Sequence, residues 1–151
     1  MVNWMTSPVQ LRAAILRVLL ATLLVVVTFT AQAGESVGYK NINNAQLQEL
    51  MQQQVPLYDI RRQAEWARTG VIEGSRRLTF VDRQGRMEKD FLSRFTSQVA
   101  KDQPVIVMCH SGNRSQALAR YLTKSLGYSK VYNVRDGIVS WIYEHKPVVN
   151  P

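Results

Sequence analysis

Val105-Ile106-Val107-Met108 is a run of four apolar residues with no polar one among them. A strand with one wet face alternates; a strand buried on both faces does not, so this run reads as the centre of a parallel sheet. Parallel strands need crossover connections, usually helices, and the flanking sequence supplies them. Asn43 or Asn44 can cap a helix through residues 45–51, with Leu47, Leu50 and Met51 on one face. Residues 89–100 place Phe91, Leu92, Phe95 and Val99 at helical spacing. Residues 116–126 do the same with Ala117, Leu118, Tyr121 and Leu122, and end at Gly127. One or two helical turns are expected over 64–67, closed by Gly70, and a last helix over 138–143 contains Trp141. Short extended pieces are expected at 56–60, 71–72, 77–78 and 131–134. Strands alternating with helices imply one α/β domain, a three-layer sandwich whose central, mostly parallel sheet is flanked by helices.

The first stretch has a different character. Residues 1–17 contain Arg12 and Arg17 and no acid, and residues 18–29 read VLLATLLVVVTF. Ala31-Gln32-Ala33 then precedes Gly34-Glu35. A basic start, a short apolar run and a small-x-small site are the order of a secretory signal peptide. Residues 1–33 are therefore expected to be removed, leaving 34–40 as a flexible lead-in, 41–146 as the domain and 147–151 as a tail. The other reading is an uncleaved membrane anchor, for which the run falls short of the roughly 20 residues that a bilayer core takes. Both readings export the body of the protein, the first to a periplasmic or similar compartment.

The chain carries a formal net charge of +8. Its arginines are scattered through loops and helix faces with no Lys/Arg run and no aromatic interleaving, which argues against a nucleic-acid partner and for a cationic surface that attracts small anions. The same holds for Arg61, Arg62, Arg76 and Arg77, which read as surface charge or an anion-attracting rim. One cysteine cannot form an internal disulfide. With two histidines, His110 and His145, it makes no spaced zinc-type ligand set, so no metal or cofactor is expected. A lone thiol in an exported protein calls for a chemical reason.

Position supplies one. The apolar run ends directly in Cys109-His110-Ser111-Gly112-Asn113-Arg114-Ser115, and a helix opens after it. In open α/β sheets, ligands bind at the carboxyl ends of the strands. A thiol between a strand end and a helix N-terminus is favoured as an anion. Gly112 allows the positive φ that turns loop N–H groups inward, Arg114 adds a permanent cation, and Ser115 can cap the helix while donating toward the site. The simpler possibility is a buried, inert cysteine followed by an ordinary polar loop.

The stretch V-I-V-M-C-H-S-G-N-R-S-Q-A-L-A-R-Y-L, continued by L-G-Y-S-K-V-Y-N-V-R-D-G-I-V-S-W, resembles the active-site half of rhodanese domains. The earlier Y-D-I-R-R-Q-A-E-W-A-R-T-G-V-I-E-G-S is similar to that family's upstream motif. The resemblance implies a rhodanese-like fold and transfer of a sulfane sulfur through a cysteine persulfide. It makes Cys109 the nucleophile and His110 to Ser115 the loop that cradles an anion. Asp59 and Arg61 become the upstream pair that braces or faces the loop. It also implies a small anionic donor such as thiosulfate, and cyanide or a thiol as acceptor. Two departures stand out: the family's Gly-His-Ile reads Gly70-Val71-Ile72, and its Gly-Gly before the last helix reads Asp136-Gly137. They put local packing in question more than chemistry. Phosphatases and arsenate reductases of the related fold use a Cys-to-Arg loop one residue longer, so the shorter loop here suits a single sulfur atom. The remaining alternative is a non-catalytic rhodanese module that senses sulfide or binds a protein.

Overall fold

The structure, a computed structural model, describes residues 38–151. In chain order its elements are β1 (Lys40–Ile42), α1 (Asn44–Gln52), β2 (Leu57–Asp59), α2 (Gln63–Thr69), β3 (Arg76–Arg77), α3 (Phe91–Thr96), β4 (Val105–Met108), α4 (Asn113–Lys124), β5 (Val131–Val134) and α5 (Gly137–Tyr143). The strands form one sheet in the order β1-β5-β4-β2-β3, and every pairing is parallel. The unbroken apolar run is β4, the middle strand, and all four of its residues are fully buried.

Alternation along β4 builds both halves of the core. Val105, Val107 and Cys109 face one way, onto Phe91 and Phe95 of α3 and Leu118, Ala119 and Leu122 of α4. Ile106 and Met108 face the other way, onto Leu47 of α1 and Ile138 and Trp141 of α5. On the first face, Phe95 lies 5.1 Å from the Tyr58 ring and 5.7 Å from Phe91, centroid to centroid. Truncating such a fully buried phenylalanine to alanine costs about 3–5 kcal/mol.

Local chemistry sets the helix starts. Asn43 caps α1 in a reciprocal box: its side chain accepts from the Gln46 N–H, and the Gln46 side chain accepts from the Asn43 N–H, both at 3.0 Å. Asn44, the other capping choice, is instead buried and donates to Ser140 and Glu144, tying α1 to α5.

Several expected boundaries move. The helix expected over 89–100 shortens to α3, and the one expected from Gln116 begins at Asn113. The reason for the second shift is that Gly112, in the left-handed region, already turns the chain into the helix. Lys40, expected in a flexible lead-in, pairs with Tyr132 as the first residue of β1. Residues 147–151 are no loose tail: Val71 and Val149 exchange two backbone hydrogen bonds of 2.9 Å in an antiparallel bridge, and the Trp141 indole N–H donates to the Pro147 carbonyl. The expected signal peptide over 1–33 and the lead-in up to residue 37 lie outside the described residues.

The order of strands locates a crevice. From β2 the chain moves outward to the edge strand β3; from β4 it moves the other way, to β5. The loops after β2 and β4 therefore diverge from adjacent strand ends, the switch point where open α/β sheets bind ligands.

Candidate active site

Cys109 is the residue immediately after β4, 1% exposed, with its side chain on the α4 face. The loop behind it is held from the α5 side. The Ile138 N–H donates to the Cys109 carbonyl at 3.0 Å and the Val139 N–H donates to the His110 carbonyl at 3.1 Å. Two glycines make this approach possible. Gly112 has φ +88°, and a Cβ there would overlap the Arg135 carbonyl; Gly137 has φ +62°, and a Cβ there would overlap the His110 carbonyl. The loop carbonyls of residues 109 and 110 are thus spent on α5. Its N–H groups are not: those of residues 110–115 meet no acceptor among the described residues. Unpaired amides at a loop and helix N-terminus favour a negative charge beside them.

Ser115 is not the cap expected of it. The N-cap is Gly112, with no side-chain bond, and Ser115 sits in the first turn of α4. Its buried hydroxyl lies 3.4 Å from Cys109 Sγ and 3.0 Å from the Gly112 carbonyl. A hydroxyl has one proton to give, so a charged sulfur competes with the carbonyl for it.

Arg114 is not a free cation. Its two terminal nitrogens meet both carboxylate oxygens of Glu65 at 2.9 and 2.6 Å, a fork from the first turn of α4 to the first turn of α2 across the switch point. Glu65 also accepts from the Arg62 N–H and Arg62 Nε. Burial works against the Glu65 charge, but hydrogen bonds from Arg114 and Arg62 outweigh it and bring its pKa down to about 2. The Arg114 pKa is raised, first by the hydrogen bond to Glu65 and then by the charges of Glu65 and the nearby Cys109.

The model of the rhodanese-like domain matches residues 43–144. The chain belongs to the rhodanese family. A thiosulfate sulfurtransferase GlpE of Ectopseudomonas mendocina is 35% identical over 103 residues, covering 68% of this chain and 84% of the relative. One from Tolumonas auensis is 49% identical over 55 residues, 36% of this chain, and that match spans about half (51%) of the relative's length. Among solved structures, a rhodanese-related protein from Thermoplasma volcanium superposes with a TM-score of 0.57 at 29% identity, covering 75% of this chain and 100% of the other.

In this rhodanese domain Asp59 and Arg61 are brought together, and among the described residues neither hydrogen-bonds to Cys109. Both are wholly buried, and the Arg61 Nη2 lies 2.6 Å from Asp59. Arg61, which the sequence suggested as surface charge, donates instead to the Thr69 hydroxyl and the Gly70 carbonyl, at 2.6 and 2.8 Å. It fastens the far end of α2 to the end of β2, and α2 carries Glu65. The upstream pair is thus tied to the end of the helix that bears Glu65. His110 is half-buried, and its Nδ1 has no partner among the described residues.

The two departures from the family pattern are easily borne. Val71 occupies the Gly-His-Ile histidine position and uses its backbone for the bridge to Val149. Asp136, at φ −104° and ψ 6°, needs no glycine, while Gly137 keeps the left-handed φ that the close approach demands. Glu65 is the residue that sequence reasoning missed. The available signal was that it is the sole acid between Asp59 and Glu73, amid Arg61, Arg62 and Arg68.

Proposed function

We propose that this chain is a rhodanese-type thiosulfate sulfurtransferase that carries a sulfane sulfur as a persulfide on Cys109. The observation that supports this best is the buried Cys109 Sγ beside the Ser115 hydroxyl, on a loop whose N–H groups at residues 110–115 have no acceptor among the described residues. The Cys109 thiolate attacks the outer sulfur of thiosulfate, the donor S–S bond breaks, and sulfite leaves with the bonding pair. The product, Cys109–S–S⁻, is stabilised by loop amides and the Ser115 hydroxyl. His110, Ser111, Gly112, Asn113, Arg114 and Ser115 form the loop that binds it; Asp59 and Arg61 support it from beneath α2. An acceptor nucleophile, cyanide or a thiolate, then attacks the outer sulfur, and the pair returns to Cys109. With a single cysteine in the chain, no second thiol of its own can take the sulfur over.

Arg114 acts chiefly as a positioning residue in this reading. Its charge is matched by Glu65, so the cradle holds a small anion through amides more than through a bare guanidinium. Thiosulfate treatment of the folded protein is expected to add the mass of one sulfur atom, lost on adding cyanide and absent in Cys109→Ala. An intact protein that gains no sulfur overturns the reading.

The same proposal places the protein outside the cytoplasm, with residues 1–33 as an export signal removed after Ala33. N-terminal sequencing of protein recovered from its producing cell is expected to begin at Gly34; a start at Met1 in a membrane fraction supports the anchor instead.

A further inference from the structure

The sheet has an edge that the sulfur chemistry does not use. β3 is the outermost strand and pairs with β2 alone. The Leu78 and Phe80 N–H groups donate inward, to the Asp59 and Ile60 carbonyls. Along an extended edge the backbone groups alternate in direction, so those of Arg77 and Thr79 face away from β2. The Thr79 N–H meets no acceptor among the described residues. Such a row of open N–H and C=O groups is a template for one more strand.

Arg77, Leu78 and Thr79 also line an open groove of about 1130 Å³ between α2 and the segment that follows β3, and no residue of the 109–115 loop lines it. Its walls set the sign of what fits. Arg62 and Arg94 are taken by Glu65 and Asp90, and the wall residue Asp82 by Arg86. Among the described residues, Arg68, Arg77 and Arg83 form no salt bridge, and Glu88 is the lining acid left against them. The three cations come from the last turn of α2, from β3 itself and from the turn inside the Val81–Met87 bridge. They suit negative charges spread along a chain better than one compact anion. A volume above the roughly 300–1,000 Å³ of small-molecule sites points the same way.

We propose that this groove docks an acidic, extended segment of a partner protein, added as a strand to the free edge of β3. The segment's backbone pairs with that of Arg77 and Thr79, and its carboxylates meet Arg68, Arg77 and Arg83. Main-chain hydrogen bonds supply affinity in this mode, and the guanidinium groups select the charge. A single-stranded nucleic acid satisfies the cations but brings no regular row of N–H donors for the edge carbonyls, which favours a peptide.

The probe is the capped peptide acetyl-Glu-Val-Glu-Val-Glu-Val-Glu-amide, titrated into the folded protein by calorimetry. Binding is expected, and in the complex the Thr79 amide should exchange with solvent at least tenfold more slowly. Arg77→Glu and Arg83→Glu change exposed side chains, and each should weaken binding at least fivefold. The same peptide with Lys in place of Glu should bind at least tenfold more weakly. N-methylation of alternate residues should cost at least tenfold in one register and little in the other, because only one set of N–H groups faces β3. Absence of binding, equal binding by both N-methylated registers and the parent, or a Thr79 amide left unprotected overturns the proposal. So does tighter binding of a single-stranded oligothymidylate than of the acidic peptide. None of these readouts needs sulfur on Cys109, so the groove and the persulfide reading stand or fall separately.

Discussion

Arg114 and Glu65 meet as a two-pronged pair, Nη2 to Oε1 at 2.6 Å and Nη1 to Oε2 at 2.9 Å, and so join the starts of the helices that follow two neighbouring strands. The pair holds Arg114 beside the sulfur and also cancels most of its charge. Glu65→Gln keeps the shape and one acceptor oxygen but removes the negative charge, releasing a cation next to Cys109. Steady-state kinetics should show a lower thiosulfate KM, because a dianion gains a counter-charge, and a kcat reduced several-fold by the less rigid loop. A KM that rises together with an unchanged kcat would show that Glu65 helps to bind the donor.

The same carboxylate predicts a pH dependence of stability. The folded-state pKa of Glu65 lies at about 2, below the ordinary value of 4.5. A depressed pKa contributes stability that is fully present above the ordinary value and is lost as pH falls through the folded one. The urea midpoint of the wild type should exceed that of Glu65→Gln at neutral pH, and the gap should narrow from about pH 4.5 and close near pH 2. A gap that stays constant across this window contradicts the ion pair as its source.

Gly112→Ala should abolish the site. The substitution puts a Cβ into the Arg135 carbonyl at a positive φ, so the loop must move off β5 or the helix must unwind at its start. Either change misplaces the amides of residues 110–115. Persulfide loading is expected to fall by at least tenfold, with destabilisation of about 2 kcal/mol or more from strain and lost packing. Near-normal loading in a folded Gly112→Ala protein would mean that the cradle tolerates another geometry.

Asp59→Asn leaves the Arg61 guanidinium buried without its counter-charge. Removing one partner of a buried pair costs about 3–5 kcal/mol, so the thermal midpoint should drop by many degrees. Because Arg61 acts on the sulfur only through α2, the rate of the protein that remains folded should change far less than its stability. A large rate loss at unchanged stability would instead make Asp59 a direct participant.

Deleting residues 147–151 removes both hydrogen bonds of the Val71–Val149 bridge and the Trp141–Pro147 contact. At about 1 kcal/mol for each hydrogen bond, the loss should be visible as a lowered urea midpoint with the same slope. An unaltered midpoint would show the bridge to be energetically idle.

How far the chain could be read beforehand depended on whether a feature was local. The β4 run and the Asn43 cap each announce themselves within a few consecutive residues, and there the expectations agree with the structure; of the Cys109 loop, its place directly after β4 was legible. Arg61 was legible as a residue but not as a buried one, since its partners Thr69 and Gly70 come within reach only once α2 folds back. Arg114 looked like a free cation because its partner, 49 residues away, sits in a segment whose other charges are basic. Ser115 was mistaken for a cap because glycine at position 112 left the helix start ambiguous by a turn. The pairing of Val149 with Val71 carries no sequence signature, since any extended backbone can make it.

The hold of α5 on the Cys109 and His110 carbonyls has a consequence for the order of events during synthesis. The cysteine loop emerges well before Ile138 and Val139, the residues that fix it, and before Arg135, whose carbonyl fits against Gly112. Until that C-terminal stretch has docked, the thiol lies on an unshaped loop with no special chemistry. The reactivity proposed for Cys109 would therefore be withheld from truncated or half-folded chains and arrive with docking of α5.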